Sequence, residues 1–250
     1  MCRMMAFFGK NMNSIPSEYL TKFVQMCHYG NWKRGDFTGH HAMGFGVAWL
    51  DQDTRIHVKR SIMPIWKTKW EDLLKIRSRC IVLHARKCPP QSIKFQDVHP
   101  ITIDKKTFMF HNGTIDKKSF PNLRDPYLNK ISKTTSMDTR KYLATYLDLM
   151  NQPSFAGNIP KIFSNLNKDI TLKSSANSFI LNRNKLLIVE LMRQHSVFKT
   201  LKYILNIKKM DTKNYCISVA PFDDDFMPIP NKTTLEYDFD SEKLKISKIH

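Results

Sequence analysis

Two hydrophobic rhythms interleave along the chain. Cys2 to Gly9 is a short, almost unbroken apolar run, which predicts a strand buried on both faces. Ser17 to His28 carries Leu20, Phe23, Val24 and Cys27 at i, i+3, i+4 and i+7, which predicts a helix. Gly44–Leu50 and Arg55–Ile62 predict a strand pair around Asp51-Gln52-Asp53-Thr54. Trp66–Arg77 reads as a helix. Arg79–Arg86 reads as a strand stopped by Cys88-Pro89-Pro90. Thr107–His111 predicts a short strand, and Asn112-Gly113 after it is a turn signal. Asp138–Met150 is the clearest helix, with Tyr142, Tyr146, Leu149 and Met150 on one face. Asn177–Leu181 and Lys185–Met192 read as strands around Asn182-Arg183-Asn184, and Tyr215–Ala220 and Leu244–Ile249 as two more. Gly30–His41 and the stretch leading to Pro100 read as loops. Helices and hairpin-like strand pairs mix throughout, which favours an α+β layered fold over a doubly wound parallel one. Without a repeat, low-complexity tract or clear linker, residues 1–250 are expected to form a single domain.

Composition narrows the picture. Hydrophobic residues make up 42% of 250, enough for a large core, and aromatics at 11% argue against disorder. No apolar run approaches the roughly 18 residues of a membrane helix. Met4–Phe8 is too short for the apolar part of a signal peptide, and Lys10 follows it. Five cysteines, an odd number without an export signal, fit reduced thiols and a cytoplasmic location. The 40 Lys+Arg against 22 Asp+Glu give a net charge of +18. These charges are dispersed, with only pairs such as Lys105-Lys106, Lys117-Lys118 and Lys208-Lys209, so nucleic-acid binding is not the expected function. Glycine is scarce, 8 in 250, or less than half the usual ~7%. Five of the eight fall between Gly30 and Gly46, and another sits in His111-Asn112-Gly113.

Four features carry candidate chemistry. Cys2 follows an initiator Met1 that processing would remove, leaving a cysteine with a free α-amine. An amine of pKa near 7.7–8.0 beside a thiol near 8.5 supplies base and nucleophile from one residue. Asn112 and the Gly113 N–H at the end of a strand suit an oxyanion, although the same pair also suits a hairpin turn. Arg86, closing an apolar strand, suits a carboxylate, and Asp138, opening a helix, suits an ammonium. Cys80, His84, Cys88 and His99 do not form a standard zinc spacing, and the Gly35 and Gly44 segments lack a phosphate loop's Lys-Ser/Thr. No metal or organic cofactor is expected.

Met1-Cys2-Arg3, Gly44-Phe45-Gly46-Val47-Ala48-Trp49, His84-Ala85-Arg86, His99-Pro100, Phe110-His111-Asn112-Gly113 and Met137-Asp138-Thr139 occur in one order. The ordered set resembles the class II glutamine amidotransferase domain, an N-terminal nucleophile hydrolase, in particular stand-alone members without a fused synthase. The resemblance implies a four-layer αββα sandwich of two mainly antiparallel sheets. It implies that Cys2 attacks a γ-carboxamide with its own amine as base, through a γ-glutamyl thioester. It assigns the oxyanion hole to Asn112 and Gly113, the substrate α-carboxylate to Arg86 and the α-ammonium to Asp138. His99 would shape the pocket. The implied substrate is glutamine or another γ-glutamyl compound, and ammonia or an amine would be released or passed to a separate synthase chain.

This chain departs from the family pattern at three places. Met43 stands where an Asp is usual, Lys87-Cys88-Pro89-Pro90 follows Arg86, and Arg140 replaces an acid after Met137-Asp138-Thr139. The pocket rim is therefore expected to be unusually cationic. The alternatives to an enzyme are a catalytically silent module of the same fold and a basic nucleic-acid binder. The presence of Cys2, Arg86, Asn112, Gly113 and Asp138 together favours the enzyme.

Overall fold

The computed structural model describes residues 2–10, 12–30, 40–87, 94–193 and 204–250. Most of the Gly30–His41 loop, with Gly35 and Gly39, lies outside the described residues, as does the Cys88-Pro89-Pro90 strand stop.

Strand β1 (Arg3–Gly9) is buried along its whole length. It pairs with β4 (Cys80–Ala85) on one side and β9 (Asn214–Ser218) on the other. Outside β4 lie β2 (Phe45–Leu50) and β3 (Ile56–Ser61). Outside β9 lie β8 (Asn206–Lys209) and β10 (Met227–Pro228). These make one seven-stranded sheet. A second, five-stranded sheet runs β5 (Phe108–Ile115), β6 (Leu172–Leu181), β7 (Lys185–Glu190), β11 (Thr233–Asp238) and β12 (Lys243–Lys248). Every pairing between these strands is antiparallel.

Side-chain alternation builds the layers. From β1, Met4, Ala6 and Phe8 point to the second sheet, where they join Phe110, Phe179, Ile188 and Tyr237. Met5 and Phe7 point the other way, against Leu20, Phe23 and Cys27 of α1 (Ser17–Tyr29). On the far face of the second sheet, Met109, Ala176, Ile180 and Val189 pack on α3 (Asp138–Met150) and α4 (Ile159–Asp169). Helix α2 (Pro126–Thr134) lies against α3. The result is the αββα order. Burying each large apolar side chain in these layers contributes roughly 1.5–3 kcal/mol.

Two expectations are corrected. Trp66–Arg77 is not an α-helix; Ile65–Lys67 and Trp70–Lys75 are separate 3₁₀ turns. Leu73 and Ile65 are buried, but Trp66 and Trp70 are only partly so, and no continuous apolar face repays a full helix. Asn112-Gly113 is not a hairpin turn. Strand β5 runs straight through it, with Asn112 opposite Asn177 and Gly113 opposite Ala176. The register slips only after Gly113, before Ile115.

Candidate active site

A cavity of about 510 Å³ opens where the two sheets and the start of α3 meet. Cys2, Arg86, His99, Gly113 and Asp138 line it, so five of the six predicted residues share one cavity. Asn112 is fully buried behind them and joins the site through a hydrogen bond. The Cys2 backbone N–H donates to Asn112 Oδ1 at 2.9 Å. Among the described residues, Asn112 Nδ2 is buried without a partner. A buried donor left unmade costs about 1–3 kcal/mol, so its presence beside a thiol reads as a group awaiting an acceptor.

The neighbouring residues fix this amide. Ser175 Oγ donates to the Asn112 carbonyl at 2.7 Å. The Ser175 carbonyl faces Gly113 so closely that a Cβ there would lie 1.8 Å from its oxygen, and Gly113 has φ 155°. Only glycine fits this point, which holds strand β6 against β5. Gly46 does the same on the other sheet, where a Cβ would come within 1.8 Å of the His99 carbonyl. That contact seats His99 against β2.

Arg86 extends β4, its N–H donating to Gly44 O at 2.9 Å and its carbonyl accepting from Met43 N–H at 3.2 Å. Its guanidinium is 3.9 Å from the Asp97 carboxylate. In the first turn of α3, Asp138 accepts from Thr139 N–H, 2.8 Å from Oδ1, and reaches across to β5 through Ile115 N–H, 3.1 Å from Oδ2. Burial pushes the Cys2 thiol above its ordinary range, so it needs a base to become a nucleophile.

His99 lines the cavity, but among the described residues no hydrogen-bond partner reaches either ring nitrogen. Its ring lies 4.1 Å, centroid to centroid, from that of His84. Burial, with His84 nearby, drives His99 well below the normal imidazole range, and His84 falls to about 3 for the same leading reason. His111 belongs to the site although the sequence reading gave it no role. It lines the cavity, with Nε2 3.3 Å from Ser175 O and Nδ1 3.0 Å from Thr139 Oγ1. Held neutral by burial, it donates from Nε2 and accepts from the threonine hydroxyl. The signal was its position in β5, whose alternation turns it to the helix side while Asn112 faces Cys2. Among the described residues no cluster of three or more His, Cys, Asp or Glu is arranged to hold a metal. Cys88 lies outside them.

The layered architecture defines the class first. It matches the glutamine phosphoribosylpyrophosphate amidotransferase of B. subtilis, at TM-score 0.68 and 12% identity, over 100% of this chain and 49% of that one. It also matches a glutamine aminotransferase class-II domain protein from Silicibacter pomeroyi, at TM-score 0.62 and 12% identity, over 99% of both chains. At such identities the likeness is one of fold, that of the N-terminal nucleophile amidotransferases. The family follows from sequence: the model of "Glutamine amidotransferases class-II" matches residues 4–213, and this chain belongs to that family. A Haemophilus influenzae protein, provisionally described as a glutamine amidotransferase, is 29% identical over 157 residues. That match takes in 59% of this chain and 48% of the relative, so the chain spans about half the length of the curated protein it resembles.

Proposed function

We propose that this chain, acting as one domain, hydrolyses the γ-glutamyl amide bond of glutamine or a γ-glutamyl compound, with Cys2 as nucleophile once Met1 is removed. The observation that carries the reading is the pairing of Cys2 with Asn112, whose Oδ1 takes the Cys2 N–H while its Nδ2 stays buried and unpartnered. After removal of Met1 the same nitrogen is an α-amine. It can keep its hydrogen bond to Asn112 and turn its lone pair to the thiol. The amine accepts the Sγ proton as sulfur attacks the γ-carbonyl carbon. Asn112 Nδ2 and the Gly113 N–H take the oxyanion. The proton then passes to the departing nitrogen, the C–N bond breaks, and ammonia or an amine leaves a γ-glutamyl thioester. Water adds to the thioester through the same amine, the C–S bond breaks, and glutamate and the free thiol are formed. Arg86 binds the α-carboxylate and Asp138 the α-ammonium, while His99 shapes the wall. No metal or organic cofactor enters these steps.

The test is covalent. Purified protein treated with a diazo ketone analogue of glutamine should lose Met1 and gain one adduct on Cys2, read by intact mass and N-terminal sequencing. Cys2→Ala should gain none and lose glutaminase activity. A protein that keeps Met1 and takes no label would overturn the proposal.

A further inference from the structure

The active-site cavity does not end at the reacting thiol. A second cavity, about 420 Å³, adjoins it and shares Asp97, Ser136 and Met137 with it. Arg140 lines this second space beside Gln96 and Thr135.

The charge around the joint cavity is lopsided. Five cationic side chains line it, Arg86, Lys87, Lys94, Lys117 and Arg140, against only the carboxylates of Asp97 and Asp138. Both acids are already engaged, Asp97 with Arg86 and Asp138 with two backbone N–H groups. Arg140 forms no ion pair among the described residues; its Nη2 reaches only the Gln96 carbonyl, at 3.5 Å. A second guanidinium grips the same turn. Arg60 donates to Val98 O at 3.3 Å and lies over the Phe95 ring at 4.7 Å. Burial first, and then the field of Arg140, pulls Arg60 below the usual guanidinium range. Two guanidinium groups thus hold one four-residue turn, whose one acid, Asp97, lies 3.9 Å from Arg86, so Arg140 is the cation of the second cavity without an acid of its own among the described residues.

Resting on the γ-glutamyl hydrolase reading above, the structure assigns the second cavity to the leaving amine, with Arg140 as the residue that binds a carboxylate on it. The substrate class is then a γ-glutamyl amino acid or peptide, whose amine portion ends in a carboxylate, rather than free glutamine. Arg86 and Asp138 hold the glutamyl end. The amine portion lies past Met137 toward Arg140, with Lys94 on the rim adding attraction. The guanidinium fork suits a carboxylate in a way that a lone lysine does not.

Two probes of nearly equal size, γ-glutamylglycine and γ-glutamylglycinamide, differ only in that carboxylate. The expected result is a kcat/KM at least about tenfold higher for the acid, the fold-change that one charge-assisted hydrogen bond supplies. The ratio should fall toward one in Arg140→Gln, recover in part in Arg140→Lys, and persist in Lys106→Gln, which removes a charge at the opposite end of β5. Equal kcat/KM for the two probes, with glutamine also turned over, would overturn the subsite and leave the hydrolase reading standing. If none of the three is turned over, the hydrolase reading fails. Calorimetry on the Cys2→Ala protein still decides the subsite. Tighter binding of the acid, lost in Cys2→Ala/Arg140→Gln, supports it; equal or absent binding of the two probes overturns it.

Discussion

Asn112 separates function from packing at a single side chain. Its Oδ1 accepts from Cys2 N–H and its Nδ2 is buried without a partner among the described residues, so under the proposed function truncation should affect turnover more than substrate capture. Asn112→Ala is expected to lower kcat for glutamine about 10²- to 10³-fold, the usual cost of one oxyanion donor, with KM changed far less. Steady-state kinetics on protein shown to have lost Met1 provides the check. A fall in kcat/KM arising wholly from KM would assign Asn112 to binding instead. At this scale the sequence was highly legible. Cys2, Arg86, His99, Gly113 and Asp138 line one cavity, with Asn112 directly behind. The Asp97 partner of Arg86 was not legible, because an acid eleven residues on, beyond a proline-rich stretch, has no periodicity to place it.

Among the elements, legibility followed the strength of the local pattern. Helix α3 begins and ends where its apolar face predicts, with Asp138 in its first turn, where the helix dipole favours an acid, and Asn151 at its C-terminal cap. Helix α4 was missed, although Asn158 caps it and Ile159, Ile162, Phe163 and Leu166 form a buried face. Strand β11 was missed too, since it takes its place from pairing with β7 and β12 rather than from a long apolar run. The Asn-Gly reading failed for a related reason: local turn propensity lost to long-range pairing with β6. Asp138 joins two of these elements, α3 and β5, through its two carboxylate oxygens. Asp138→Asn keeps only one acceptor, so it should lose about 1 kcal/mol and ~2–4 °C of thermal midpoint. It should also raise KM for glutamine, since the ammonium loses its counter-charge. Calorimetry and kinetics on one preparation read both effects. An unchanged midpoint would show that the helix-to-strand clamp carries no stability.

Across the whole molecule, the cost of building this site is written in buried titratable groups of opposite sign. His84, His99 and His111 are all held neutral below their ordinary 6.5, chiefly by burial. Glu190 lies in the strand row Asn112, Asn177, Glu190, accepts from Asn177 Nδ2 at 2.9 Å and Leu205 N–H at 3.0 Å, and leaves Oε1 unpartnered. Burial raises it from 4.5 to about 8. Below pH 6.5 the unfolded chain takes up protons on the three imidazoles that the folded chain refuses, so stability falls as pH drops. That slope outweighs the opposing single proton of Glu190. Between about 6.5 and 8 the folded state holds the Glu190 proton that the unfolded state has lost, so stability falls as pH rises, by up to ~1.4 kcal/mol per unit. Unfolding free energy from urea titrations between pH 5 and 8 should therefore peak near about pH 6.5. Glu190→Gln keeps an oxygen for both N–H donors and has no proton to lose. It should flatten the alkaline limb while leaving the acid limb in place. If the variant retains the wild-type slope above pH 6.5, some other group governs that limb.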